Sequence, residues 1–318
     1  MAKKVMTKND LAFLFPGQGS QSVGMLSQMA QSSGLVAATF VQASDVLGYD
    51  LWALSQDGTA EELSQTEVTQ PLLVTASIAL WRCWQEATDI RPSVVAGHSL
   101  GEWSALVASG VVDLEDAVRL VRLRGQYMQS AVPAGKGAMA AIVGLDDAAI
   151  AEACSANSTE EVVLPVNFNS PGQVVIAGHK AAVEAAMQAC KEAGAKRALP
   201  LPVSAPFHTP LMQPAADRLA DDIEATTFKA PQIPVLHNVS CAAENDPAKI
   251  KQLMVEQITA PVPWTQTVEM MVEMGVSTTI ECGPGRVLSG LNKRINREIN
   301  SLNIESPEAL QEAVAQIQ

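Results

Sequence analysis

The sequence predicts an α/β protein in which a larger domain is interrupted by a small ferredoxin-like unit. Three observations carry that prediction. Leu11 to Phe15 and Ser93 to Ala96 read as buried strands, and each runs straight into a glycine-rich turn. The segment from about Pro133 to Ser204 reads as β-α-β-β-α-β, the split βαβ order of a ferredoxin-like unit. Regular α/β elements stand on both sides of that segment, which makes it an insertion.

Leu11–Ala12–Phe13–Leu14–Phe15 is apolar throughout, as a strand covered on both faces requires, and Pro16–Gly17–Gln18–Gly19–Ser20 stops it. Helical segments follow. The clearest is Pro71 to Ala87, where Leu72, Leu73, Ala76, Ala79, Leu80 and Cys83 recur at helix spacing. Ser93 to Ala96 is the second strand, Gly97–His98–Ser99–Leu100–Gly101 its turn, and Glu102 to Ala108 a helix. Leu114 to Ala131 is another helix, with Ala117, Val118, Val121 and Met128 as its apolar stripe. Within the insert, Ala138–Val143, Val162–Phe168, Gln173–Ala177 and Arg197–Val203 read as strands. Asp146–Ala156 and Lys180–Ala193 read as the helices between them, the second closed by Gly194. Beyond the proline-rich stretch 202–210, helices are expected at Leu211–Ala225, Pro247–Gln257, Trp264–Met274 and Val287–Asn296. Strands are expected at Ile233–Asn238 and Thr278–Cys282. The predicted division is 1–132 with 205–318 for the larger domain and 133–204 for the insert.

The chain has 318 residues, and 21 Lys and Arg against 34 Asp and Glu give a formal charge of −13. Nucleic acid and anionic membrane surfaces both require a basic face, so neither is an expected partner. With 47% hydrophobic and 17% charged residues the chain can bury a sizeable core. The five cysteines are scattered and form no C-x-x-C pair, which suggests neither a disulfide framework nor a zinc site and fits a reduced, cytoplasmic protein. Met1 to Asp10 carries three lysines but no apolar signal segment follows, because Pro16 and Gly17 interrupt Leu11–Phe15; an untargeted chain is the expectation.

Gly97–His98–Ser99–Leu100–Gly101 fits G-x-S-x-G between a buried strand and a helix, the context in which this short pattern has meaning. A sharp turn there lifts a serine Oγ above the sheet edge. The following helix N-terminus aims free N–H groups at a developing oxyanion. Four histidines could serve as base. His98 adjoins the serine and is expected to point away; His179 reads as exposed; His237 falls in an apolar strand and reads as packed core. His208, in a loop pinned by Pro206 and Pro210, is the candidate by elimination. Arg124, followed by Gly125, lies on the next helix; beside a nucleophilic serine it would suit an acyl group that carries a free carboxylate. The Pro16–Ser20 turn is a weak dinucleotide fingerprint, since Ser22 stands where the third glycine should and the first acidic residue downstream is Asp45. A turn that supplies a second oxyanion N–H suits its spacing better.

Together these motifs resemble the malonyl-CoA:acyl carrier protein transacylases of dissociated, type II fatty-acid synthesis. The resemblance runs over almost the whole chain. It rests on Phe15–Gln21, Gly97–Glu102, Arg124–Gly125, Val166–Gly172, Pro206–His208 and Glu281–Gly285. It implies an α/β-hydrolase-like large domain with a mostly parallel sheet and the ferredoxin-like insert. It implies Ser99 as nucleophile and His208 as base, the latter oriented by a main-chain carbonyl near Gln257 with no third acidic residue. Arg124 would pair with the malonyl carboxylate, and the N–H groups of Gln18 and Leu100 would form the oxyanion hole. Phe207 stands where related polyketide acyltransferases with malonyl preference carry the same residue.

The activity implied is ping-pong transfer of malonyl from malonyl-CoA to the phosphopantetheine thiol of holo acyl carrier protein through a malonyl-serine ester. No cofactor or metal is implied, and a monomer is the family expectation. Two other classes stay open on sequence alone. A serine esterase or thioesterase would share the elbow and release free acid. A non-catalytic carrier-binding module would use Ser99 only as a turn residue. A malonyl loader for a polyketide pathway would perform the same chemistry. Because CoA and the carrier are themselves anionic, local cations must hold them; Arg286, Lys293, Arg294 and Arg297 form one candidate patch, and Lys191, Lys196 and Arg197 another.

Overall fold

The computed structural model describes residues 6–318, so residues 1–5 of the N-terminal stretch expected to be untargeted lie outside the described residues. Strand β1 (Met6–Phe15) opens the chain. Helices α1 (Ser27–Ser32), α2 (Gly34–Leu47), α3 (Leu51–Asp57) and α4 (Ala60–Ser64) lead to the long α5 (Thr66–Ala87). Then come β2 (Ile90–Gly97), α6 (Gly101–Ala108) and α7 (Leu114–Ser130). The insert contributes β3 (Gly137–Val143), α8 (Asp147–Asn157), β4 (Val163–Ser170), β5 (Gln173–His179), α9 (Lys180–Glu192) and β6 (Arg197–Pro200). The chain returns through α10 (Gln213–Glu224), β7 (Val235–Leu236), α11 (Pro247–Glu256) and α12 (Trp264–Glu273). It ends with β8 (Thr278–Glu281), α13 (Val287–Ile295), β9 (Asn300–Asn303) and α14 (Pro307–Ile317).

Among the described residues the strands form two sheets. The first is parallel throughout, in the order β7-β2-β1-β8-β9. Leu11 to Phe15 of β1 are fully buried, which explains why they read as one apolar run rather than alternating. Phe13 packs edge-on against Trp81 and Trp84 of α5, with ring centroids 5.1 and 5.0 Å apart. The second sheet is antiparallel, in the order β4-β5-β3-β6. Renumbered within the unit that is 2-3-1-4, the order expected of a ferredoxin-like βαββαβ segment. Helices α8 and α9 cover one face of this sheet, with Ile150, Val183 and Ala186 in one core cluster with Ile142 of β3. The other face, with Met139, Val166, Val175 and Ala177, packs against Phe207 where the chain returns. The edge of β4 is not left open. Val262 N–H donates to Val166 O and Phe168 N–H donates to Val262 O, so a loop segment of the larger unit extends the ladder.

Most expected elements lie within a few residues of their observed ends, and the departures have physical causes. β6 stops at Pro200 rather than Val203, because Pro200 and Pro202 have no N–H to give the ladder. β7 holds only Val235 and Leu236 of the expected Ile233–Asn238, since His237 and Asn238 leave the sheet to serve the site described below. Helix α5 begins at Thr66, ahead of Pro71, so proline lies inside the helix instead of opening it. The closing pair β9 and α14 was not anticipated. Glu281, buried at the end of β8, accepts from the N–H groups of Leu288 and Ser289 at 2.9 and 2.8 Å and thereby fixes the start of α13.

Candidate active site

The turn after β2 is built under steric compulsion. Ser99 sits in the left-handed region with φ of 51°. A Cβ on Gly97 would stand 1.9 Å from the Gly101 carbonyl carbon, and one on Gly101 would stand 2.0 Å from Phe15 O. Only glycine fits at either position. Asn238 braces the turn from outside the motif: its Oδ1 accepts from Ser99 N–H at 2.8 Å, and its Nδ2 donates to Gly97 O at 2.7 Å.

The structure places the Ser99 Oγ 2.7 Å from His208 Nε2. His208 also has positive φ, 62°, in a loop tied down by Thr209 Oγ1 donating to Pro206 O at 2.7 Å. Its Nδ1 faces two main-chain acceptors, Gln257 O and Ala260 O, each at 3.0 Å. Nδ1 therefore carries the hydrogen, and Nε2 presents its lone pair to the serine hydroxyl. Gln257 caps the end of α11, where helix-end C=O groups have no intrahelical partner, and Ala260 lies in the turn that follows. Burial, reinforced by the nearby charge of Arg124, lowers the His208 pKa to about 3. The imidazole is thus neutral at ordinary pH and free to accept a proton.

Arg124 projects from α7 into the same place. Gly125 makes the approach possible, because a Cβ there would meet Thr66 O at 2.6 Å on α5. The guanidinium is 2% exposed and has no carboxylate partner among the described residues. Its NH1 donates to Gln70 Oε1 at 2.9 Å, and its NH2 donates to Gln257 Oε1 at 3.0 Å and to Ser99 Oγ at 3.4 Å. Nε finds no acceptor among the described residues. Desolvation lowers its pKa to about 10, so it remains a cation near neutrality.

Ser99, His208 and Arg124 open onto a cavity of about 310 Å³ between the two sheets. Met139, Val175, Leu201 and Phe207 give it an apolar wall from the side of the insert. Gln18 and Leu100 line it opposite, and neither main-chain N–H has an acceptor among the described residues.

Of the expected site residues, Ser99, His208, Arg124 and Gln257 are in direct contact; Gln18 and Leu100 line the cavity with Ser99, His208 and Arg124, and Gln257 stands behind it. The expectation that His98 points away does not hold. Its ring forms part of the cavity wall, 5.5 Å from Trp264, and Nε2 hydrogen-bonds Asn169 Oδ1 at 2.7 Å. His179 instead accepts from Val162 N–H at 2.9 Å, and His237 is fully buried against Glu102. Sequence reasoning missed Gln70, Glu102, Asn238 and the side chain of Gln257. A faint signal existed: polar residues at 237 and 238 interrupt an apolar strand pattern, and buried polar groups demand partners.

The acyl transferase domain family matches residues 12–308. A malonyl CoA-acyl carrier protein transacylase of Salmonella typhimurium is 57% identical, over 96% of this chain and 99% of the relative. The crystal structure of an acyl carrier protein S-malonyltransferase from Vibrio cholerae has a TM-score of 0.94 at 57% identity, covering 96% of this chain and 99% of that one. A malonyl-transacylase solved in complex with its type II PKS acyl-carrier protein has a TM-score of 0.95 at 53% identity, with the same coverage. With the elbow, the neutral histidine and the buried guanidinium in one cavity, the chain belongs to the acyl transferase domain family, among its malonyl CoA-acyl carrier protein transacylases.

Proposed function

We propose that this protein transfers malonyl from malonyl-CoA to the phosphopantetheine thiol of acyl carrier protein, with Ser99 as nucleophile and His208 as base. The observation that carries this reading is the buried guanidinium of Arg124, which forms no ion pair among the described residues and lies 3.4 Å from the Ser99 Oγ. A neutral acyl group would give that charge nothing to bind. A malonyl carboxylate would offer planar, charge-assisted hydrogen bonds.

His208 Nε2 takes the Ser99 proton as Oγ attacks the thioester carbonyl, and the oxyanion settles against the N–H groups of Gln18 and Leu100. Collapse breaks the C–S bond, and the proton on Nε2 passes to CoA, which leaves as its thiol. The carrier thiol then enters, gives its proton to the same nitrogen and attacks the malonyl-serine ester. The Ser99 alkoxide leaves and recovers the proton. The main-chain carbonyls of Gln257 and Ala260 stabilise the imidazolium in both half-reactions, so no acidic third member is needed.

For the carrier, the patch on α13 is favoured over the patch on the insert. Val287, Leu288 and Leu291 of the same helix line the cavity, while Arg286, Lys293, Arg294 and Arg297 are exposed. A pantetheine arm reaching Ser99 would therefore bring an acidic carrier against these cations. Residues 133–204 are read as a subdomain, and the protein as a cytoplasmic monomer, which size-exclusion chromatography with light scattering would check.

Intact-mass measurement after mixing with malonyl-CoA tests the core of the proposal. A stable adduct heavier by one malonyl group, absent in Ser99→Ala and discharged by holo carrier, is expected. Rapid release of free malonate without acceptor would assign the site to hydrolysis, and no adduct at all would remove the catalytic reading.

A further inference from the structure

Glu102 lies beneath the elbow, 1% exposed, outside the cavity. Its carboxylate accepts from Gln257 Nε2 at 2.7 Å, from Asn238 N–H at 3.2 Å and from His237 Nδ1 at 2.8 Å. The first contact matters most, because Gln257 reaches Ser99, His208 and Arg124 together. Its main-chain oxygen accepts from His208, its Oε1 accepts from Arg124, and its Nε2 donates to Ser99 O at 2.9 Å.

A glutamine amide can rotate by half a turn and exchange its oxygen and nitrogen. Here Nε2 faces two acceptors, Glu102 Oε2 and Ser99 O, and Oε1 faces a guanidinium N–H that can only donate. A flipped amide would set oxygen against a carboxylate and a carbonyl, and N–H against N–H. In a buried site each mismatch leaves polar groups unpaired, which is costly.

We propose that Glu102 is a positioning residue for acyl selectivity: it locks the Gln257 amide so that Oε1 holds Arg124 in line with the carboxylate of the bound acyl group. This rests on the function proposed above, in which Arg124 receives that carboxylate. Glu102 does not touch substrate. It acts through Gln257, and its effect falls on the choice between a carboxylated and an uncharged acyl group.

The test compares single-turnover acylation of Ser99 by malonyl-CoA and acetyl-CoA in the wild type, Glu102→Met, Glu102→Asp, Gln257→Met and the double variant Glu102→Met/Gln257→Met. Methionine at 102 offers the Gln257 amide no oxygen, whereas a glutamine there would still present one; Gln257→Met deletes the amide and keeps the main-chain carbonyl that His208 uses. The malonyl-to-acetyl ratio should fall about tenfold or more in Glu102→Met. Glu102→Asp should retain part of it, and Glu102→Met should lower the ratio no further once Gln257 is Met. An unchanged ratio in a folded Glu102→Met protein, or equal losses for both acyl groups, would overturn the proposal. Should Glu102→Met not fold, Gln257→Met alone decides, since a wild-type ratio there would equally refute it. A wild type that takes no malonyl would instead remove the underlying function, so the two failures are distinguishable.

Discussion

The buried, neutral state of His208 makes an unusual prediction about pH. A histidine of ordinary pKa is mostly protonated by pH 5 and could not serve as a base there. His208 is 4% exposed and hydrogen-bonded through Nδ1, and desolvation with Arg124 beside it takes its pKa from 6.5 to about 3. At pH 5 a base with pKa 6.5 is neutral in only about 3% of molecules, a roughly thirtyfold loss of rate, whereas one near 3 is about 99% neutral. Rapid-quench measurement of acyl-enzyme formation from saturating malonyl-CoA should therefore give rates at pH 5 and pH 7 that agree within about twofold. A fall of about thirtyfold with a midpoint near 6.5 would refute this account of the site.

The same shift enters stability, and its sign is fixed. The folded pKa lies below the unfolded one, so between them the unfolded chain binds a proton that the native protein refuses. The contribution is complete above pH 6.5 and is lost as pH falls toward 3. Between pH 7 and pH 5 the loss is about 2 kcal/mol. Urea denaturation at the two pH values should show wild type losing about 2 kcal/mol more than His208→Asn, which has no imidazole to protonate. Equal losses would mean that His208 titrates alike in both states.

Other perturbations give separate outcomes. Arg124→Ala should slow acylation by malonyl-CoA about tenfold to a hundredfold more than acylation by acetyl-CoA, read as adduct formation by mass; equal losses would remove the carboxylate clamp. Gly97→Ala forces a Cβ to within 1.9 Å of the Gly101 carbonyl carbon and should cost about 1–3 kcal/mol or more in a denaturation curve, with an unchanged midpoint counting against the steric argument. Charge reversal at Lys293 and Arg297 should raise KM for holo carrier in steady-state assays while leaving malonyl adduct formation intact, and an unchanged KM would move the carrier elsewhere.

How much of the site could be read in advance depends on whether its geometry imposes residue types locally. The elbow does. A left-handed serine between a strand and a helix admits only glycine at 97 and 101, so five consecutive residues announce it. The insert was equally legible, because its strand order follows from one short run of alternating elements. β7 misled for the opposite reason: apolar neighbours extended a strand that ends after two residues, and the polar pair at 237 and 238 was answering to Glu102 and Gly97, more than 130 positions away in the chain. Residue type alone reached His208 only by elimination among four histidines, and a main-chain carbonyl near Gln257 as its orienting group was implied by the family resemblance alone. Every residue has a carbonyl; what qualifies that of Gln257 is that α11 ends there, leaving an acceptor unpaired and within reach of Nδ1, with Ala260 O joining it from the following turn. An acidic orienting residue would have left a trace in composition. A helix end does the same work without one, so that among the described residues no acidic side chain lines the cavity, and the carboxylate of the proposed acyl group would meet Arg124 there without a competing anion.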